Sequence, residues 1–522
     1  MILGAQFPAP AAGANRRAQP AVAPWLAPAV ASLFVVLWSA WTALFNSAQF
    51  GDNIEQFNWA HSLELGYHKH PPLPTWLLGL VVRGLGPSRY WAYGLAAACV
   101  LATAWLTWSI ARRLLGDSAA SVAMLLWPLQ LCFSARAQLY NHNTVLILLV
   151  AATVWCSLKA VERRAALGAR RHAGWHAAWW VATGACAGLA VLSKYQALVP
   201  LGGLLFTLGW AGHLDSRRQG RGLALALLTM LALCLPHVVW VLEHDFTTLR
   251  YAATAVDSSG ALQRVHGLVS FVANQLRMVF PMLLAIALTL LLARAAAGGP
   301  GAAVDAQRAG GAAGPVRSDA RKWLIGLVWV PVGLLLLFDL GGVSLRNHWG
   351  VQTLQFLSLW VAWRWTQRGG VDLRRLARVA VAVQALGMVL YAAQQNDPRA
   401  HMSERRMDTL YPAQRLADTA LARWRAATNC PLRFVAGDPF PAGLVSLYSG
   451  LAPPVFDSEH ATPWIGRRDL QRDGAIYAAD ALEDFPAGVV RIERFALTPD
   501  ERVSPAARTI YIGVLPPAAD CP

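Results

Sequence analysis

Between Asn46 and Trp76 the chain reads NSAQFGDNIEQFNWAHSLELGYHKHPPLPTW, which gathers Asp52, Glu55, His61, Glu64, His68, Lys69 and His70 within one polar stretch. A carboxylate can take a proton from a hydroxyl as a general base. Lysine and protonated histidine can hold a phosphate. The stretch directly follows a long apolar run. Ionisable groups this dense beside a membrane point to chemistry at the bilayer surface. The plainer reading is a solvated surface helix, since acids also favour helix N-termini. A divalent metal on His61, Glu64, His68 and His70 is a lesser alternative. Such a site needs three or four ligands in fixed geometry, and residues 68 and 70 diverge on a helix.

The elements that must position these residues are membrane helices. The chain is 56% hydrophobic and only 14% charged, and apolar runs of span length recur along its first ~390 residues. Spans are expected at 27–46, 89–111, 118–135, 143–160, 175–193, 196–212, 222–242, 268–293, 323–340, 349–365 and 378–394. That is about eleven, within a range of ten to thirteen. Residues 71–85 are apolar but too short for a straight span, and read as an interfacial helix opened by Pro71 and Pro72. With that parity, 22 of the 31 Lys and Arg residues before position 396 fall on one side. Arg112, Arg113, Arg217, Arg218, Arg374 and Arg375 are among them. The positive-inside rule makes that side cytoplasmic. Residues 1–24 then form a disordered cytoplasmic leader, 25–395 the membrane domain and 396–522 a domain outside the cytoplasm. The basic surplus is explained by topology, so nucleic acid is not an expected partner.

The same parity brings further polar loops to the outer face. They carry His142, the run Glu243, His244 and Asp245, and the pair Arg346 and His348. Few ionisable groups lie inside the spans. This argues against the alternative of a transporter or lipid flippase, which needs such groups near the bilayer midplane. Lys194, at the end of a span, reads as a snorkelling side chain, with a lipid-phosphate contact as the alternative. An enzyme at the outer face has little access to cytosolic nucleotides, and there is no Walker A loop. An activated donor would arrive in the membrane, as a lipid-linked phosphate does.

The run GDNIEQFNWAHSLELGYHKHPPLPTWLL resembles the first exterior loop of the polyprenyl-phosphate-dependent glycosyltransferases of family 39. That family includes protein O-mannosyltransferases and the aminoarabinose transferase of lipid A. GLAVLSKYQALVP (188–200) and PHVVWVLEHDF (236–246) resemble further family stretches. The resemblance implies a GT-C fold and inverting transfer of a sugar from a polyprenyl (undecaprenyl) phosphate to a lipid, glycan or protein acceptor. The setting it implies is the periplasmic face of a bacterial inner membrane. Asp52 matches the loop-opening acid and is the implied general base, with Glu55 beside it. Lys69 and His70 match the phosphate-holding position, with Arg346 and His348 as further phosphate ligands. His142 and Glu243–Asp245 are candidates for the acceptor cleft. The family usually carries adjacent Asp-Glu where this chain has Asp52-Asn53-Ile54-Glu55. No cofactor is called for. A non-catalytic scaffold presenting the C-terminal domain is the other alternative, against which the joint presence of Asp52, Lys69 and His70 weighs.

The tail 396–522 alternates short strands and helices, as a small α/β layer does. A helix is expected near 403–427 and another at 441–449. Strands are expected at 432–436, 475–478, 488–493 and 509–514. Cys430 and Cys521 flank this set and can pair in an oxidising compartment.

Overall fold

The computed structural model describes residues 25–162, 173–254, 261–297, 319–369, 371–397, 408–496 and 509–519. The leader 1–24, most of the Gly/Ala-rich segment 295–320 and Cys521 lie outside them.

Eight helices among the described residues are long and apolar enough to cross a membrane. They are α1 (Leu26–Phe45), α4 (Tyr90–Leu115), α6 (His142–Glu162), α7 (Ala173–Ser193), α9 (Arg217–Glu243), α11 (Ala261–Ala297), α12 (Ala320–Leu340) and α14 (Leu373–Asn396). Each coincides with an expected span. α9 and α11 turn large apolar side chains outward, among them Leu228, Leu231, Leu235, Leu276 and Leu291. A lipid surround makes such an apolar surface favourable.

The other three expected spans are short or broken. Residues 118–135 form α5 (Asp117–Leu126) and then two 3-10 turns, at Trp127–Leu129 and Leu131–Phe133. Pro128 cannot donate to the helix and breaks it there. Residues 196–212 hold α8 (Leu198–Trp210), which begins after a 3-10 turn at Tyr195–Ala197. Residues 349–365 are divided between the single turn Gly350–Thr353 and α13 (Leu357–Arg368). The non-helical backbone at these breaks is buried in protein or lines a cavity, as a membrane requires.

Two shorter elements lie between α1 and α4. These are α2 (Gly51–Trp59) and α3 (Leu73–Leu85). At 13 residues, α3 is about 20 Å long, too short to span, as expected.

The C-terminal domain follows with α15 (Ala413–Ala427), β1 (Val435–Gly437), α16 (Pro439–Tyr448), β2 (Val455–Phe456), α17 (Arg467–Asp473), β3 (Ala475–Ala479), β4 (Val490–Phe495) and β5 (Ile510–Leu515). The sheet order is β2-β1-β3-β5-β4. β1 runs parallel to β2 and β3, and β5 is antiparallel to β3 and β4. β2, only two residues long, was not expected from the sequence. The described part of the expected 403–427 helix starts later, after Pro412. Cys430 is disulfide-bonded, and its expected partner Cys521 lies outside the described residues.

The domain sits on the site-bearing face. Ala48 and Ile54, from the polar stretch, are buried in its core with Tyr411, Leu416, Leu444 and Val445.

Candidate functional site

α2 sorts its side chains into three faces, as 3.6 residues per turn dictates. Gly51, Ile54 and Asn58 face the C-terminal domain. Asn53, Gln56, Phe57 and Ala60 face the membrane helices: Asn53 Oδ1 accepts from the Tyr140 amide (2.8 Å), and Gln56 Oε1 accepts from Thr75 Oγ1 (2.8 Å). Asp52 and Glu55 are left on the third face, at the wall of a cavity of about 1050 Å³.

Asp52 is open to that cavity. Its Oδ2 accepts from Asn141 Nδ2 (2.7 Å), and Asn141 Oδ1 in turn caps α6 by accepting from the Asn143 and Thr144 amides (2.9 and 3.2 Å). Oδ1 of Asp52 has no hydrogen-bond partner among the described residues. Glu55 pairs with Lys69 at 2.5 Å. Burial pushes the Glu55 carboxyl above its ordinary value, and Lys69 opposes that shift. Burial also works against the Lys69 charge, but Glu55 outweighs it and holds the ammonium above its ordinary value.

His70 lines the cavity with its ring 4.1 Å from that of His142. Burial, then the neighbouring His142 and Lys194, hold the His70 imidazole well below its ordinary value. It is therefore a neutral hydrogen-bonding group at neutral pH. His142 is 3% exposed, and its Nε2 has no partner among the described residues. Arg346 and His348 also line the cavity, and Arg346 Nη2 donates to the Thr254 carbonyl (3.1 Å).

The structure thus brings together Asp52, Glu55, Lys69, His70, His142, Arg346 and His348, drawn from α2, two loops and the start of α6. It does not bring Glu243, His244 and Asp245 to them. These three are exposed where α9 turns into α10 (Thr247–Ala253). Asp245 and Phe246 take positive φ values of 53° and 56° there, and His244 stacks on Trp240 at 4.2 Å. These three residues form a helix-ending turn and are not part of the cavity lining. His61 and His68 also lie off the cavity wall. Burial holds each down to about 4, and His68 packs edge-on against Trp59. Among the described residues no three His, Cys, Asp or Glu side chains are grouped to hold a metal.

The most consequential residue not assigned from sequence is Lys194. It is 8% exposed and lines the cavity. Its Nζ donates to Asn143 Oδ1 (2.9 Å), which also accepts from Gln352 Nε2 (2.8 Å). No ion pair joins it to a carboxylate among the described residues. Burial, partly offset by Asp52, lowers it to about 8. Lys194 is a buried cation on the wall of the cavity, not a snorkelling side chain. Arg136 and Tyr195 complete the polar wall, and Leu198, Val199, Leu334, Leu335 and Phe338 form an apolar one.

A helical membrane part thus carries a charged cavity, with a small α/β domain packed against the helix that holds Asp52. Residues 69–240 match the family model described as dolichyl-phosphate-mannose-protein mannosyltransferase. The chain is 24% identical over 219 residues to the lipid A galacturonosyltransferase RgtD of Rhizobium johnstonii. That match spans 41% of this chain and 43% of the relative's length, under half of each. The crystal structure of ArnT from Cupriavidus metallidurans bound to undecaprenyl phosphate superimposes with a TM-score of 0.58 at 15% identity. The superposition covers 96% of this chain and all of that one, and shows the common fold.

Proposed function

We propose that the protein is an integral membrane glycosyltransferase that moves a sugar from a polyprenyl phosphate to a lipid acceptor, with Asp52 as general base. One observation carries this reading: a single cavity joins an acid with a free oxygen, four cations and an apolar wall. The apolar wall of α8 and α12 suits the first isoprene units. Lys194, Arg136 and Arg346 suit the phosphate. Lys69, already paired with Glu55, orients that carboxylate as well as adding charge. The acceptor hydroxyl would give its proton to Asp52 Oδ1 as its oxygen attacks the anomeric carbon. The bond from that carbon to the phosphate oxygen breaks on the opposite face, which inverts the centre. The leaving polyprenyl phosphate gains one negative charge, and the fixed cations stabilise it as it forms. His142 contributes its ring to the cavity wall beside His70 and is proposed as part of the acceptor cleft. A lipid A-like acceptor is the reading that the galacturonosyltransferase relative supports. The outer, periplasmic face of a bacterial inner membrane is the setting that the basic loops support.

The test offers the purified full-length protein a radiolabelled sugar on undecaprenyl phosphate, the same sugar on a nucleotide diphosphate, and lipid A as acceptor. Transfer from the polyprenyl donor alone is expected. Transfer from the nucleotide donor alone, or from neither across a panel of sugars, would overturn the reading.

A further inference from the structure

The face of α2 opposite the membrane helices is buried by the C-terminal domain at unusually short range. A Cβ on Gly443, in α16, would stand 2.6 Å from Asn58 Oδ1 and closer still to Cγ2 of Ile54. Only a glycine lets the two helices meet this way. Asn58 Nδ2 donates to the Pro439 carbonyl at the start of α16 (2.8 Å). The Gly51 amide donates to Asp408 Oδ2 (2.7 Å), and the Ser47 and Ala48 amides donate to the Thr409 carbonyl (3.0 and 3.2 Å). α2 is therefore gripped at its N-terminus and along its length. The grip falls on Gly51, Ile54 and Asn58, while Asp52 and Glu55 emerge between those residues and the membrane core.

A second contact holds the other end of the same polar stretch. The loop after β2 lays His460 against His68 (ring centroids 5.9 Å) and Trp464 edge-on to Tyr67 (6.1 Å). His460 Nε2 also bonds Thr247 Oγ1 (2.9 Å). Lys69 and His70 follow directly.

We propose that the C-terminal domain is a positioning part of the site: through Gly443 it sets the placement of α2, and so the reach of Asp52 and Glu55 into the cavity. Gly443 is a positioning residue, touching no reacting atom. The inference rests on the proposed transferase reading for its kinetic consequence, but not for its geometry. A misplacement of about 1 Å at a reacting group can cost roughly 100-fold in rate.

The test compares Gly443→Ala, Ile54→Ala and the double variant in the full chain. Gly443→Ala should lower kcat roughly 10- to 100-fold with donor KM changed less than about twofold. Ile54→Ala, which removes the nearest of the atoms that the new Cβ would strike and leaves the flexible Asn58 amide to yield, should restore part of kcat in the double variant. A parallel readout needs no activity. Cysteines at positions 52 and 141, whose native side chains meet tip to tip at 2.7 Å, should be bridged readily in the parent by a short bifunctional thiol reagent. They should cross-link slowly with Gly443→Ala and readily again once Ile54→Ala is added. Wild-type kcat in Gly443→Ala, a fall in kcat that Ile54→Ala does not relieve, or cross-linking unchanged across the set would overturn the inference. If the parent transfers no sugar while cross-linking follows the expected order, the transferase reading fails and the positioning inference stands.

Discussion

Lys194 shows how much one side chain's role depends on what closes around it. A lysine at the end of an apolar run has the sequence pattern of a snorkelling residue. Here Asn143 and Gln352, from elements far apart in the chain, enclose it instead. With its ammonium lowered to about 8, it is charged below that pH and neutral above it. Affinity for a polyprenyl phosphodiester should therefore fall as pH rises past about 8, by at most about tenfold per unit. Titrating binding by intrinsic tryptophan fluorescence between pH 7 and 10 checks this. Lys194→Met should weaken binding roughly 10- to 150-fold at pH 7 and flatten the slope. A slope unchanged in the variant would move the phosphate elsewhere. Asp52 stands on the cavity wall at the head of the dense polar loop, in the first helical turn where an acid is also favoured by the helix N-terminus. Glu243–Asp245 have residue types that suit a cleft, while their exposure is decided by the left-handed turn at Asp245 and Phe246.

At the level of elements, hydropathy located every long helix, since a span must be apolar over its full length. It located the broken segments as continuous spans because composition does not register where a proline or a backbone turn interrupts the helix. Those breaks matter, as Lys194 and Tyr195 emerge from the one between α7 and α8. α8 is held against α12 by close glycine contacts. A Cβ on Gly203 would lie 2.6 Å from the Gly326 carbonyl oxygen and 2.8 Å from Cγ of Pro331. Small residues let helices approach in a membrane, where packing drives association. Gly203→Val should thus cost about 1–3 kcal/mol from overpacking, read as a lower thermal midpoint in detergent, and should widen the apolar wall. An unchanged midpoint would show that α8 is free to shift.

The whole molecule joins a membrane body to a domain whose strands and helices the sequence disclosed, except for the two-residue β2 and the short helix α17. Their docking was not disclosed, because the burial of Ile54 against Gly443 joins residues nearly 400 positions apart and leaves no periodic trace. Orientation remains a topological expectation from the basic loops. A cysteine placed at exposed Glu483 should react with an impermeant maleimide in intact spheroplasts. Labelling only after permeabilisation would invert the assignment of faces.

The claim on which all of this turns is that Asp52 is the base for sugar transfer. Its most direct measurement is the single-turnover transfer rate of Asp52→Asn, with undecaprenyl-phosphate-linked sugar bound to saturation. Asparagine keeps the size and the neighbourhood of Asn141 but cannot accept the proton, so the rate should fall roughly 100- to 10,000-fold with donor binding retained. A rate within about threefold of wild type would contradict the account.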